Sequence, residues 1–158
     1  MADFLEGYFY NPTRGNIKIS QVVEEIFGYM KAKPEKSYEV IVGCDSSSGE
    51  EPSFPVAVVV LRKGEGGRFF LKRVAYKNRK FYNLKTRILE EVMLSCELAL
   101  LLRETLGNQV RYVHADIGEN GATKDMIKEV TGLIRGNGFE PKIKPESFVA
   151  SSVADRYS

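Results

Sequence analysis

The sequence predicts an α/β domain: a mixed five-stranded sheet, three antiparallel strands then two parallel crossover strands, flanked by helices. Three observations predict it. Three apolar, β-branched runs follow one another between residues 38 and 76, separated by polar or Gly-rich turns. Two shorter apolar runs, Val110 to Ala115 and Phe139 to Ile143, each come after a helical stretch, as parallel crossover units require. The 158 residues, 43% hydrophobic and 28% charged, suffice for one core of ordinary composition. The expectation is a single domain over residues 1–158, with 1–35 as an N-terminal extension carrying one helix.

The elements follow in order. Met1 to Ile19 reads as irregular, with turns at Asn11-Pro12-Thr13 and Gly15-Asn16. Ser20 is the expected N-cap of a helix from Gln21 to about Lys31, with Val22, Val23, Ile26 and Phe27 on its apolar face. Pro34 closes it. Tyr38 to Cys44 is a buried strand running into the polar loop Asp45-Ser46-Ser47-Ser48-Gly49. Phe54 to Leu61 and Arg68 to Tyr76 complete an antiparallel meander around Lys63-Gly64-Glu65-Gly66-Gly67. Leu84 to Leu106 is a long helix stopped by Gly107-Asn108. Val110 to Ala115 is a fourth strand leading into Asp116-Ile117-Gly118. A helix from Lys124 to about Arg135 follows, with Thr123 as its N-cap and Gly136 to Gly138 as its stop. Phe139 to Ile143 is the fifth strand, and Val149 to Tyr157 a last short helix. After the first helix the order is β-β-β-α-β-α-β-α. That is the order of an RNase H-like fold, with helices expected on both sheet faces.

Composition narrows the class of function. The 23 Lys and Arg against 21 Asp and Glu leave a net charge of +2, so any basic surface is local. The two cysteines, Cys44 and Cys96, form no CxxC pair, so a disulfide framework is not expected and a reducing cytoplasm fits. One histidine and two cysteines are too few for a closed structural zinc site. The first ten residues carry Asp3 and Glu6 and no apolar run, so no secretory signal is expected. No apolar run approaches the ~20 residues of a membrane-spanning helix.

The acidic residues fall in a pattern. Asp45 ends the first strand and Asp116 the fourth. If these strands are parallel neighbours, their carboxylates meet beyond the carboxyl edge of the sheet, where such folds build ligand sites. On the long helix, Glu90, Glu97 and Glu104 recur every seven residues, as a solvated stripe does. Glu91 lies off that stripe, in a row with Arg87, Ser95, Leu98 and Leu102. A carboxylate heading an apolar row needs water, a partner or a metal. Asp155, near the chain end, is a fourth candidate. Crowded carboxylates repel unless a cation neutralises them, and hard cations such as Mg²⁺ or Mn²⁺ take oxygen ligands. Two such ions roughly 4 Å apart activate water and stabilise a leaving oxygen in phosphodiester hydrolysis. The bland alternative is that each aspartate is a turn former or helix cap.

Several segments together resemble the YkuK-like family of bacterial proteins, described as predicted RNase H-related nucleases. They are Asn11-Pro12-Thr13-Arg14-Gly15, Val42-Gly43-Cys44-Asp45-Ser46, Arg87-Ile88-Leu89-Glu90-Glu91 and His114 through Lys124. Gly138-Phe139, Lys142-Ile143-Lys144-Pro145 and Ser151-Ser152-Val153-Ala154-Asp155-Arg156 complete the set. The resemblance implies an RNase H-like fold and a two-metal carboxylate site of Asp45, Glu91, Asp116 and Asp155. It also implies products ending in a 3′-hydroxyl and a 5′-phosphate. Cys44 stands where the family more often has Thr, and Glu90-Glu91-Val92 where Glu-Thr is usual. The second departure leaves Glu90 and Glu91 both open as the helix ligand, with the apolar row favouring Glu91.

Other residues carry two readings each. His114 is expected to share a strand face with Asp116, as a proton shuttle or as a structural histidine. Glu119 lies in a Gly-rich loop that lacks the phosphate-loop Gly-Lys-Ser/Thr ending, and is an accessory acidic candidate. Arg73, Lys77, Arg79 and Lys80, interleaved with aromatics, suit a nucleic-acid backbone as well as a solvated strand face, and Lys124 is a further basic candidate. The expected partner is nucleic acid, whether RNA, DNA or hybrid, and not a membrane. Two rivals stand beside the nuclease. One is a non-catalytic nucleic-acid- or protein-binding module. The other is an actin-like phosphotransferase, which needs two such domains where this chain has room for one.

Overall fold

The computed structural model describes residues 6–147. Among them the strands are β1 (Tyr8–Asn11), β2 (Gly15–Lys18), β3 (Tyr38–Cys44), β4 (Ser53–Arg62), β5 (Gly66–Ala75), β6 (Val110–His114) and β7 (Glu140–Lys142). The helices are α1 (Ile19–Ala32), α2 (Leu84–Leu106) and α3 (Ile127–Gly136). The described strands form one mixed sheet in the order β2-β1-β5-β4-β3-β6-β7.

The meander β3-β4-β5 is antiparallel, as its turn chemistry predicts. β6 lies parallel to β3, with Val42 beside Val113 and Gly43 beside His114, and β7 lies parallel to β6. Residues 6–18 are not irregular. They form an antiparallel hairpin that pairs through Tyr10 with Leu71 of β5 and widens the sheet from five strands to seven. The Asn11 side chain makes the turn: its Oδ1 accepts from the amides of Thr13 and Arg14 at 2.9 and 2.8 Å, and its Nδ2 donates to the Phe69 carbonyl at 2.9 Å. Phe9 and Ile17 are buried in the same core as α1, so this stretch belongs to the domain's own sheet.

One side of the sheet carries the main core. Val40, Val42 and Cys44 of β3, Phe54, Val56, Val58 and Val60 of β4, and Val110 and Val113 of β6 pack there with residues of all three helices. α2 packs on β3 and β6 and touches both α1 and α3. Its Leu98 and Leu102 are fully buried, each stabilising the fold by about 1.5–3 kcal/mol. The other side carries Ile41, Ala57, Val59 and Leu71, flanked by Leu61, Phe69 and Tyr112. Among the described residues, therefore, the helices cover one face rather than both.

Helix ends differ in detail from the expected ones. α1 begins at Ile19, its entry held by Gln21 Oε1 accepting from the Lys18 amide at 3.0 Å, so Ser20 lies inside the helix. Asn83 caps α2 by accepting from the Thr86 amide at 2.9 Å. Gly107 ends α2 at φ 63°, a conformation glycine adopts without strain. Thr123 does not cap a helix: its hydroxyl accepts from the Gly118 amide at 3.0 Å and cross-braces the loop. A single 3₁₀ turn, Lys124–Met126, precedes α3. The helix expected over 149–157 lies outside the described residues. No described helix is long and apolar enough to cross a membrane.

Candidate metal and nucleic-acid site

Because β3 and β6 are parallel neighbours, the chain leaves both at the same sheet edge. Asp45 follows β3 and Asp116 follows β6 by two residues. Arg87 of α2 reaches this edge, its Nη1 donating to the Ser47 carbonyl at 3.1 Å. Ser47 in turn pairs with Ser53, which starts β4, through two hydrogen bonds: the Ser47 amide donates to the Ser53 carbonyl at 3.1 Å, and the Ser53 amide donates to the Ser47 hydroxyl at 2.9 Å. The loop after Asp45 is thus tied to both a helix and a strand.

Glu91 is 3% exposed, on the helix face that meets these strand ends. Ser46 Oγ donates to its Oε2 at 2.5 Å. Burial raises the Glu91 carboxyl to about 8; the charges of Asp45 and Asp116 push the same way, while Ser46 and Arg87 oppose them. The three carboxylates predicted from distant parts of the chain are therefore electrostatically coupled. Glu90 looks elsewhere. Its carboxylate accepts from the Tyr76 hydroxyl and pairs with Arg79 Nη1 at 3.2 Å. Of the two adjacent glutamates, Glu91 is the one turned to the strand ends.

The coupling stops short of a closed ligand set. Among the described residues no three His, Cys, Asp or Glu side chains are arranged to hold one metal ion. Asp45 Oδ1 accepts from the Ser46 amide at 2.9 Å, Glu91 accepts from Ser46 Oγ, and Asp116 Oδ1 lies 3.2 Å from Lys144 Nζ. Asp155 lies outside the described residues. In donor chemistry the set fits a hard divalent cation: it offers carboxylate oxygens, one of them buried beside two others of like charge.

His114 does not point with Glu91. Val113 packs on the helix side, so alternation sends His114 with Tyr112 to the opposite face. There it lines a cavity of about 360 Å³ with Glu39, Ile41, Tyr112, Lys142 and Glu146. Burial, then the Lys142 charge, lowers the imidazole to about 4, so it is neutral near pH 7. Glu119 is exposed and lines a cavity of about 490 Å³ with Gly118, Asn120, Ile143, Lys144, Pro145 and Glu146.

The basic candidates Arg73, Lys77, Arg79, Lys80 and Lys124 are all exposed. Arg79 is engaged: its guanidinium lies 5.3 Å from the Tyr76 ring centroid and 4.6 Å from that of Phe81. Lys80 Nζ lies 3.9 Å from Glu50. Tyr82 projects into solvent beside them, 73% exposed. The glutamate stripe of α2 is less solvated than its spacing predicts, because Glu90 is held under Arg79 and Glu97 Oε2 is buried without a hydrogen-bond partner. Cys44 and Cys96 are buried free thiols. Burial, with the charges of Glu91, Asp45 and Glu90, pushes the Cys44 thiol up and disfavours its thiolate.

Sequence reasoning passed over Ser46 as a partner of Glu91, though it follows Asp45 directly. It met Lys144 only as part of the segment Lys142-Ile143-Lys144-Pro145; the ion pair with Asp116 needs the register of β7 against β6, which no spacing displays.

Comparison with known proteins agrees with this architecture. The family described as ribonuclease H-like matches residues 21–158. The uncharacterised protein YkuK of Bacillus subtilis (strain 168) is 33% identical over 166 aligned residues, covering 95% of this chain and 96% of that protein. No solved structure matches significantly. With the sheet order, the parallel β3–β6 pair and these two matches in hand, the chain is a member of the ribonuclease H-like family, of the YkuK-like kind.

Proposed function

We propose that this chain is a nuclease that hydrolyses phosphodiester bonds of nucleic acid, using Mg²⁺ or Mn²⁺ held by Asp45, Glu91, Asp116 and Asp155. The observation that carries the proposal is Glu91. A carboxyl group buried at the mouth of two parallel strands, destabilised as an anion by two more carboxylates, is costly to the fold and useful for gathering cations. When bound, the ions would supply a low-pKa water and charge neutralisation at phosphorus.

The chain's own residues do the rest. Ser46 orients Glu91 and, through its amide, Asp45. Arg87 fixes the loop that carries Asp45 and Ser46. Lys77, Lys80 and Tyr82, exposed next to the start of α2, suit phosphates and an unstacked base. Single-turnover cleavage of RNA, DNA and hybrid duplexes with Mn²⁺ tests the proposal. Cleavage of at least one substrate is expected, with Asp45→Asn and Glu91→Gln each slower by at least about 100-fold. Absence of cleavage on all three, with Mn²⁺ affinity unchanged in Asp45→Asn, overturns it.

A second reading, a non-catalytic nucleic-acid- or protein-binding module, is favoured by the engagement of Asp116 with Lys144. Tight, salt-dependent binding of nucleic acid without turnover would select it.

A further inference from the structure

Lys144 stands where a cation is needed. Its Nζ is 3.2 Å from Asp116 Oδ1, and its side chain is 54% exposed against 23% for Asp116. The backbone beneath is fixed. The Lys144 amide donates to the Ile117 carbonyl at 2.8 Å, one residue beyond Asp116. Any Cβ at Gly118 would lie 3.0 Å from the Lys144 Cβ, so the two loops are in close contact. A rigid base, a four-carbon stem and a water-accessible head make a contact that forms and breaks readily. The head has somewhere to go: the open cavity of about 490 Å³ bordered by Gly118, Glu119 and Glu146 adjoins it.

Resting on the metal-site reading above, we infer that Lys144 is an exchangeable counter-ion of Asp116, which holds that carboxylate in the metal-free protein and yields it to the divalent cation. Two positive charges cannot share one carboxylate oxygen at full strength, so Lys144 and the cation compete. Lys144 is accordingly a positioning residue that sets the metal concentration at which the site fills.

The test is Mn²⁺ binding to the full chain, read from the free-ion electron paramagnetic resonance signal without substrate. Lys144→Met is expected to tighten Mn²⁺ binding about threefold to fivefold. Lys144→Arg, which keeps the charge and pairs well with a carboxylate, is expected to bind no tighter than the unmodified chain. Lys142→Met removes an equal charge nearby, from a lysine that contacts Glu146, and should leave the affinity within twofold. With Asp116→Asn in place, Lys144→Met should have no further effect. Equal affinity in the unmodified chain and Lys144→Met overturns the inference and leaves the metal site standing. Equal tightening by Lys142→Met and Lys144→Met also overturns it, since bulk charge would then explain the gain. Failure of every variant to bind Mn²⁺ overturns both the inference and the metal site.

Discussion

Ser46 Oγ donates to Glu91 Oε2 at 2.5 Å, joining the loop that leaves β3 to the buried face of α2 across 45 positions of sequence. This bond compensates in part for a carboxyl group that burial and two neighbouring aspartates would keep protonated. It gives the site a definite resting state and makes several properties measurable.

Ser46→Ala should raise the Glu91 pKa further above about 8, because it removes the largest opposing contribution to burial. The carboxyl carbon shift of Glu91, followed by ¹³C NMR against pH in metal-free protein, reads this directly. A midpoint that stays put or falls would show that Ser46 does not stabilise the anion.

The metal-free protein should lose stability as pH rises through the range from 4.5 to about 8. The folded Glu91 carboxyl titrates near 8 and its unfolded counterpart near 4.5. Between these values the folded chain holds a proton that the unfolded chain has released, so unfolding gains with pH. The contribution is on the order of 3–5 kcal/mol across the window. Denaturant melts at pH 5 and pH 8, compared with Glu91→Gln, should show the slope flattened in the variant.

His114 should act in the opposite sense at lower pH. Its folded pKa is about 4 and the ordinary value is 6.5, so the unfolded chain binds the extra proton between them. Stability therefore rises with pH from about 4 to 6.5, by on the order of 2–3 kcal/mol. His114→Asn should remove that rise while leaving Mn²⁺ affinity within twofold, because the imidazole faces away from Glu91. A large loss of affinity would place it in the site after all.

Arg79→Ala should cost more stability than Lys77→Ala. Arg79 stacks on Tyr76 and Phe81 and pairs with Glu90, whereas Lys77 is exposed. The expected loss is on the order of 1 kcal/mol for Arg79 and within ~0.5 kcal/mol for Lys77. Nucleic-acid binding titrated against salt should in contrast show the slope reduced by about one for Lys77→Ala.

Gly67→Ala should destabilise the meander strongly. A Cβ there would lie 2.2 Å from the Val60 carbonyl oxygen, a backbone atom that cannot move without disturbing the β4–β5 pairing. A loss of about 3 kcal/mol or more is expected in chemical melts, and Gly64→Ala, where a Cβ meets nothing within 4 Å, makes a useful contrast despite its φ of 84°.

Much of this architecture was legible in local pattern. Tyr38 to Cys44, Phe54 to Leu61, Leu84 to Leu106 and the turns between them announce themselves by apolar periodicity and glycine placement, because burial acts on each segment through its own repeat. The N-terminal hairpin was not legible: two strands of four residues are too short to show a period, and Asn11 holds them by a bond to Phe69, 58 positions away. The helices on a single sheet face likewise depend on how the described segments pack, which no single segment encodes.

The same division runs through the site. Carboxylates at the exits of two strands, and a glutamate heading an apolar row, are properties of the chain as written. Which of Glu90 and Glu91 turns inward was decided by the Tyr76 and Arg79 contacts that hold Glu90 outside. The departure of His114 to the far face came from strand alternation beside the irregular register at Val40 and Ile41. The pairing of Asp116 with Lys144 came from the docking of β7 against β6. Burial and charge act through space, so neighbours remote in sequence set them, and only the folded chain brings those neighbours together.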